Sequence, residues 1–223
     1  MKAVLFDLDG VITDTAAYHF EAWKALGTKI GIDIDEEFNE QLKGVSRTDS
    51  LNRILEKGHK QDAYSEIEKE AMATEKNDLY KTLIEKMSPS DLLPGIKALL
   101  DELKANNIKL GLASASKNGP TILDKLQITD YFDEIVDPAG LKAGKPDPEI
   151  FVTGAKQLGI DVSECVGVED AAAGIDSINA ANMVSIGVGE IKNLGKAAKV
   201  VPSTADLTVD LLENVWSETI GRA

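Results

Sequence analysis

The chain has 223 residues, 43% of them hydrophobic, enough to bury the core of one domain or of a domain with a sub-domain. Its formal net charge of −14 excludes a nucleic-acid partner or an anionic membrane surface, since either needs a basic face. The single cysteine, Cys165, excludes an internal disulfide, and no stretch reaches the roughly 18 apolar residues of a membrane span.

The first element is a continuously apolar run, Val4 to Phe6, which predicts a parallel strand covered on both faces. From Thr15 to Lys29 the spacing of Phe20, Trp23, Leu26 and Ile30 predicts a helix. More helix follows at Phe38 and Leu42, at Leu51, Ile54 and Leu55, and through Ile67, Met72, Leu79, Leu83 and Met87. No strand is predicted between Asp14 and Met87. After the turn-rich stretch from Ser88 to Gly95 the pattern changes. A helix with Ile96, Leu99, Leu100 and Leu103 leads to a strand from Ile108 to Ala113, then to a helix around Ile122 to Leu126. A short apolar piece at Ile135 and Val136 comes next. A helix led by "KPDPEIF", the strand "CVGVED", a helix from Ala171 to Asn182 and the strand "MVSIGVG" complete the alternation. A last helix carries Leu211, Leu212, Val215 and Trp216 and is expected to pack on the sheet.

Strands alternating with helices imply right-handed crossovers and a parallel sheet. The predicted class is therefore α/β: a Rossmann-like parallel-sheet core over residues 1–14 and 88–223. An α-helical insert over 15–87 interrupts it after the first strand. In such a sheet ligands bind beyond the carboxyl ends of the strands. The polar residues there are Asp7 and Asp9 after the first run, Ser114 after the second, and Glu169 and Asp170 after "CVGV". Lys145 stands just before the helix that feeds that last strand. Asp7 and Asp9, two residues apart in extended chain, are expected on one side. Four converging acids repel unless a hard cation such as Mg²⁺ joins them. These types suit phosphoryl transfer. Asp7 serves as nucleophile and Asp9, with a raised pKa, as acid and base. Ser114 and Lys145 then hold the transferring group.

"DLDGV", "ASAS", "GKPDPEIF" and "GVEDAAAGI" resemble, in order, the four motifs of the haloacid dehalogenase superfamily. "DTAAYHFEAWKAL", "FNEQLKGVSRTDSL", "KNDLY" and "GLASASKNGP" extend the similarity to its bacterial β-phosphoglucomutase family, over nearly the whole chain. The resemblance implies that the insert is a cap and that the reaction interconverts β-D-glucose 1-phosphate and glucose 6-phosphate through a bound glucose 1,6-bisphosphate. It implies Mg²⁺ on Asp7, the Asp9 backbone carbonyl and Asp170, with Glu169 adjacent. It implies a second phosphate site at Arg47, Ser116, Lys117 and Asn118. His19, Lys43, Ser50 and Lys76 would line the cap side, with Gly44 in the turn before Arg47 and Thr15 at the hinge. Trp23 is carried as a candidate on the same side, although core is its simpler reading. Ala171 and Ala172 stand where the family often has polar residues. The implied protein is a cytoplasmic monomer with a small sugar phosphate as its only partner.

Bland readings stand beside these. An isolated D-x-D is a solvated turn, and Glu169 with Asp170 can simply cap the following helix. An EF-hand is excluded because glycine directly follows Asp9. "GLKAGKP" is one residue short of a P-loop, and "GVGEIKNLG" fails the dinucleotide fingerprint. A phosphatase would use the same Asp7 and Asp9 but needs only one anion site. A phosphosugar-binding module without catalysis remains the reading from another class.

Overall fold

The computed structural model describes residues 1–42 and 45–221. Six parallel strands form one sheet in the order β3-β2-β1-β4-β5-β6. They are β1 (Ala3–Phe6), β2 (Lys109–Leu112), β3 (Glu134–Ile135), β4 (Cys165–Glu169), β5 (Val184–Val188) and β6 (Lys199–Val201). The first strand in sequence lies between β2 and β4, with Phe6 opposite both Leu112 and Val168. The chain ends that follow β1, β2 and β4 therefore emerge side by side. β6 was not predicted. Its three residues form the outermost strand, too short for a period to show.

Strand alternation divides the core into two layers. Val4 and Phe6 face a cluster that includes Leu110, Leu112, Val166, Val168 and Ile186. It is closed by Leu99, Leu100 and Leu103 of α5 (Ile96–Ala105), by Ile122 and Leu123 of α6 (Gly119–Lys125), and by Leu212 of α10 (Val209–Ile220). Ala3 and Leu5 face the other layer, with Ile150, Phe151 and Ala155 of α7 (Glu149–Leu158) and Ile175 and Ile178 of α8 (Ala172–Ala180). As expected, the last helix packs on the sheet, its partly buried Leu211, Val215 and Trp216 lying against the first layer.

Between β1 and α5 run four helices: α1 (Ala16–Lys29), α2 (Glu36–Glu40), α3 (Arg47–Lys57) and α4 (Glu66–Ile84). Side chains cap three of them at the N-terminus: Asp35 accepts from Phe38 N–H, Ser46 from Asp49 N–H and Ser65 from Glu68 N–H. Trp23, Leu26, Ile32, Ile34, Leu42, Leu51, Ile54 and Leu55 form an apolar cluster of their own. Ala22, Tyr80, Ile84 and Met87 belong instead to the first sheet layer, seating α1 and the end of α4 on it.

The apolar face predicted for this segment holds in part. Met72 and Leu83 pack against apolar clusters and Met87 is buried, but Ile67 is 81% and Leu79 36% exposed. The buried face of α4 is mixed, with Lys76, Asn77 and Tyr80 beside Ile84, and an apolar period could not find its polar members.

Ile54 is fully buried in the helical cluster. Ile54→Ala is expected to cost about 2–5 kcal/mol, read as a lowered denaturant midpoint.

Candidate active site

The segment after β1 folds back at once. Ile12 N–H donates to Leu8 O and Gly10 N–H to Thr13 O, at 2.9 and 2.8 Å. Leu8, Val11 and Ile12 are fully buried, which pins this turn. Gly10 has φ +73°, and a Cβ there would overlap the Asp170 carboxylate. Glycine is required both for the backbone and for the close approach of the turn to Asp170.

Asp7 is 5% exposed and Glu169 fully buried, and Lys145 lies between them. Its Nζ donates to Asp7 Oδ1 at 2.7 Å and to Glu169 Oε1 at 2.5 Å. Burial alone would lower the lysine pKa, but Asp7 and Glu169 together raise it, so the ammonium stays charged. Burial pushes Glu169 up against the pull of Lys145. The loop carrying Lys145 is held at the start of α7, where Glu149 Oε2 accepts N–H groups of Lys142 and Ala143 at 2.7 and 2.9 Å.

The second oxygen of Glu169 accepts from Asp170 N–H at 2.9 Å and Ala171 N–H at 2.8 Å. Ala171, which opens α8, offers no side-chain cap, and Glu169 reaches only the backbone N–H groups just ahead of the helix. A Cβ on Gly174 would overlap this carboxylate.

Carboxylate oxygens of Asp7, Glu169 and Asp170 lie within 4.8 Å of one another. An all-oxygen, all-anionic donor set of this size fits a hard divalent cation such as Mg²⁺. The Asp9 side chain is not part of that trio. It lines the same cavity as Asp7 but turns toward the helical segment, accepting a short hydrogen bond from Thr15 Oγ1. Its Oδ2 lies 3.7 Å from His19 Nε2. Burial, and then the charge of Asp7, raise the Asp9 carboxyl to about 7, the direction expected from sequence.

Behind Asp9 stands a polar stack. Tyr80 Oη donates to Thr15 Oγ1 at 3.0 Å, and the His19 ring stacks on Tyr80 at 4.0 Å between centroids. Lys76 Nζ lies 2.7 Å from His19 Nδ1 and within 4.6 Å of the centre of the Trp23 ring and 4.8 Å of Tyr80. Burial, then Lys76 and Arg47, hold the His19 pKa well below its usual value, so the ring is neutral. A neutral ring accepting from Lys76 at Nδ1 carries its proton on Nε2, facing Asp9. Trp23 is 3% exposed and serves both the helical cluster and this stack.

At the far side of the cavity Arg47 Nη2 donates to Asn77 Oδ1 at 2.8 Å, and Asn118 Nδ2 donates to the same oxygen at 2.9 Å. Ser116 N–H donates to Ser114 Oγ at 3.1 Å and Asn118 N–H to Ser116 Oγ at 3.2 Å, which orders the loop after β2. Asp7, Asp9, Ser114, Lys145 and Asp170 from the sheet, and His19, Trp23, Arg47, Ser50 and Lys76 from the helices, line one cavity of about 790 Å³. Ser116, Lys117 and Asn118 line it too. Lys43 and Gly44 lie outside the described residues. Sequence reasoning missed Asn77 and Tyr80. Their signal was the stretch "KNDLY", in which they stand one and four positions after Lys76.

Burial, then Arg47, lower the Lys76 pKa from 10.5 to about 7. Between those values the unfolded chain binds more protons than the folded one, so stability rises with pH across that window. The penalty is full below about 7 and vanishes above about 10.5. Metal-free protein is expected to gain up to about 2 kcal/mol of unfolding free energy between pH 7 and 9 relative to Lys76→Met, measured by urea titration at each pH.

The haloacid dehalogenase-like hydrolase family model matches residues 1–182. The chain is 50% identical over 218 residues to a β-phosphoglucomutase of Bacillus subtilis, covering 98% of this chain and 96% of the relative. The crystal structure of β-phosphoglucomutase from Clostridium difficile superposes with a TM-score of 0.98 at 53% identity, over all of both chains. A phosphorylated carbohydrates phosphatase of Thermotoga maritima is 29% identical, covering 99% of this chain and all of the relative. With its parallel sheet, its acid trio beyond β1 and β4 and these matches, the chain belongs to the haloacid dehalogenase-like family.

Proposed function

We propose that this protein interconverts β-D-glucose 1-phosphate and glucose 6-phosphate, with Asp7 as the phosphoryl carrier and glucose 1,6-bisphosphate as the intermediate. The observation that carries the reading is a single cavity with a basic side chain at each end. Lys145 stands beside Asp7 at one, and Arg47 with the Ser116–Asn118 loop at the other. A bisphosphate needs two anion sites, whereas hydrolysis of a monophosphate needs one. The 50% identity to a β-phosphoglucomutase, against 29% to a phosphatase, points the same way.

In this reading a sugar hydroxyl attacks the phosphoryl group on Asp7. Asp9 takes the hydroxyl proton as the new P–O bond forms and the bond to Asp7 breaks. In the reverse half the same carboxyl returns a proton to the departing sugar oxygen. A carboxyl near 7 is populated in both forms at neutral pH, which this double duty requires. Ser114, 4% exposed, would donate to the phosphoryl oxygens, and Lys145 holds Asp7 in orientation through a 2.7 Å hydrogen bond. Mg²⁺, held by Asp7, Asp170 and the Asp9 carbonyl beside Glu169, would offset the negative charge of the transferring group.

Residues 15–87 act as the cap and residues 1–14 with 88–223 as the core. The two connections between them are themselves paired, Thr13 bridging to Leu92 and Leu93 N–H donating to Ile12 O at 3.0 Å. The seated cap excludes water, so that the sugar and not solvent takes the phosphoryl group. The protein works as a cytoplasmic monomer, in keeping with one buried cysteine and no disulfide. Among the described residues no helix is long and apolar enough to cross a membrane.

With Mg²⁺, β-glucose 1-phosphate and a trace of hexose bisphosphate, the product is expected to be glucose 6-phosphate with little inorganic phosphate. Mainly glucose and phosphate would replace the mutase with a phosphatase. Asp7→Asn is expected to abolish transfer, and Asp9→Asn to lower kcat by about 10²–10⁴-fold. Chelation of Mg²⁺ should silence the reaction reversibly.

A further inference from the structure

Asn77 lies in the stretch "KNDLY" but was given no role there, and one atom of it joins three separate segments. Its Oδ1 accepts from Arg47, in the first turn of α3, and from Asn118, just before α6. Asn77 itself sits in the middle of α4 and is 7% exposed, as is Asn118. Because both partners are donors, the carboxamide can present only its oxygen to them. A buried Asn118 amide that lost this acceptor would be left without it at a real cost.

The chemistry of the acceptor is informative. A carboxylate at this place would hold Arg47 more strongly but would cancel its charge. A neutral carbonyl oxygen aims the guanidinium and leaves the whole charge available to an anion. The same oxygen fixes Asn118, whose loop lines the cavity together with Ser116 and Lys117.

We propose that Asn77 is a positioning residue for the second phosphate site, setting Arg47 of the cap and Asn118 of the core as one unit. Seating the cap and assembling that site are then a single event, because α4 carries the atom that both halves need. The proposal rests on the reading of Arg47 and Asn118 as phosphate contacts.

The test is a double-mutant cycle of Asn77→Ala and Arg47→Ala, read as KM for hexose monophosphate. Asn77→Ala is expected to raise KM about tenfold, the worth of one hydrogen bond to a charged group. Arg47→Ala should raise it further, and the double variant should stay within about threefold of Arg47→Ala, because Asn77 acts through Arg47. Multiplying effects, or an unchanged KM in Asn77→Ala, would overturn the proposal. Asn77→Asp keeps the shape and the accepting oxygen and guards against a folding defect. It is expected to raise KM, with its melting temperature close to that of the parent, since its charge opposes the phosphate. A KM equal to that of the parent would overturn the role of the neutral acceptor. The unsubstituted protein's products, run alongside, judge the mutase reading separately: release of inorganic phosphate refutes that reading while the KM cycle still decides the role of Asn77.

Discussion

A single buried ammonium stands between two buried carboxylates, and much of the sheet edge follows from that arrangement. Lys145 bridges Asp7 and Glu169, which come from neighbouring strands β1 and β4. Three such charges without water are costly unless each is closely matched, and removing one would leave the others unpaired. The surroundings supply the match. Glu169 is held from behind by two backbone N–H groups at the start of α8, and Gly174 leaves its carboxylate room. Gly10 lets the turn after β1 close on Asp170. The placing of β1 in the middle of the sheet is what brings these acids from distant positions to one point.

The cavity carries both signs of charge on both sides. The sheet side gathers acids around Lys145, and the helical side sets Arg47, Lys69 and Lys76 beside Asp49, Glu66 and Glu70, with a neutral His19. Burial lowers the pKa of both Arg47 and Lys76, and repulsion by Arg47 lowers that of Lys76 further. An anionic substrate between the two sides relieves that repulsion as it binds. Trp23 and Tyr80 give Lys76 an aromatic floor in place of water.

Sequence legibility followed the chemistry of each face. β1, β2 and β4 were readable because apolar runs stop abruptly at Asp7, Ser114 and Glu169–Asp170, and the order of these stops located the site. α4 was readable as a helix and only in part as a surface: Met72 and Leu83 do pack inward. Its apolar Ile67 and Leu79 face solvent, while Lys76, Asn77 and Tyr80 are buried, satisfied by partners far away in the chain. The side-by-side placing of Asp7 and Asp9 was readable from their spacing. Their different partners were not, because the fold-back at Leu8–Thr13 that turns Asp9 toward Thr15 depends on tertiary packing.

The pairing of Thr13 with Leu92 has a consequence for how such folds diversify. Thr13 Oγ1 also donates to Asp91 O at 2.6 Å, so the chain leaves the sheet and re-enters it at nearly the same point. The sheet layers on either side are built without the α2–α3 region, whose apolar residues cluster among themselves. The closure cost of an insertion grows only slowly with its length, about 0.6 kcal/mol per doubling. Helical modules of other sizes can therefore be carried at this one stem, provided that they match the apolar contacts that Ala22, Tyr80 and Ile84 make with the sheet layer. A single phosphoryl-transfer edge can in this way be matched to many substrates.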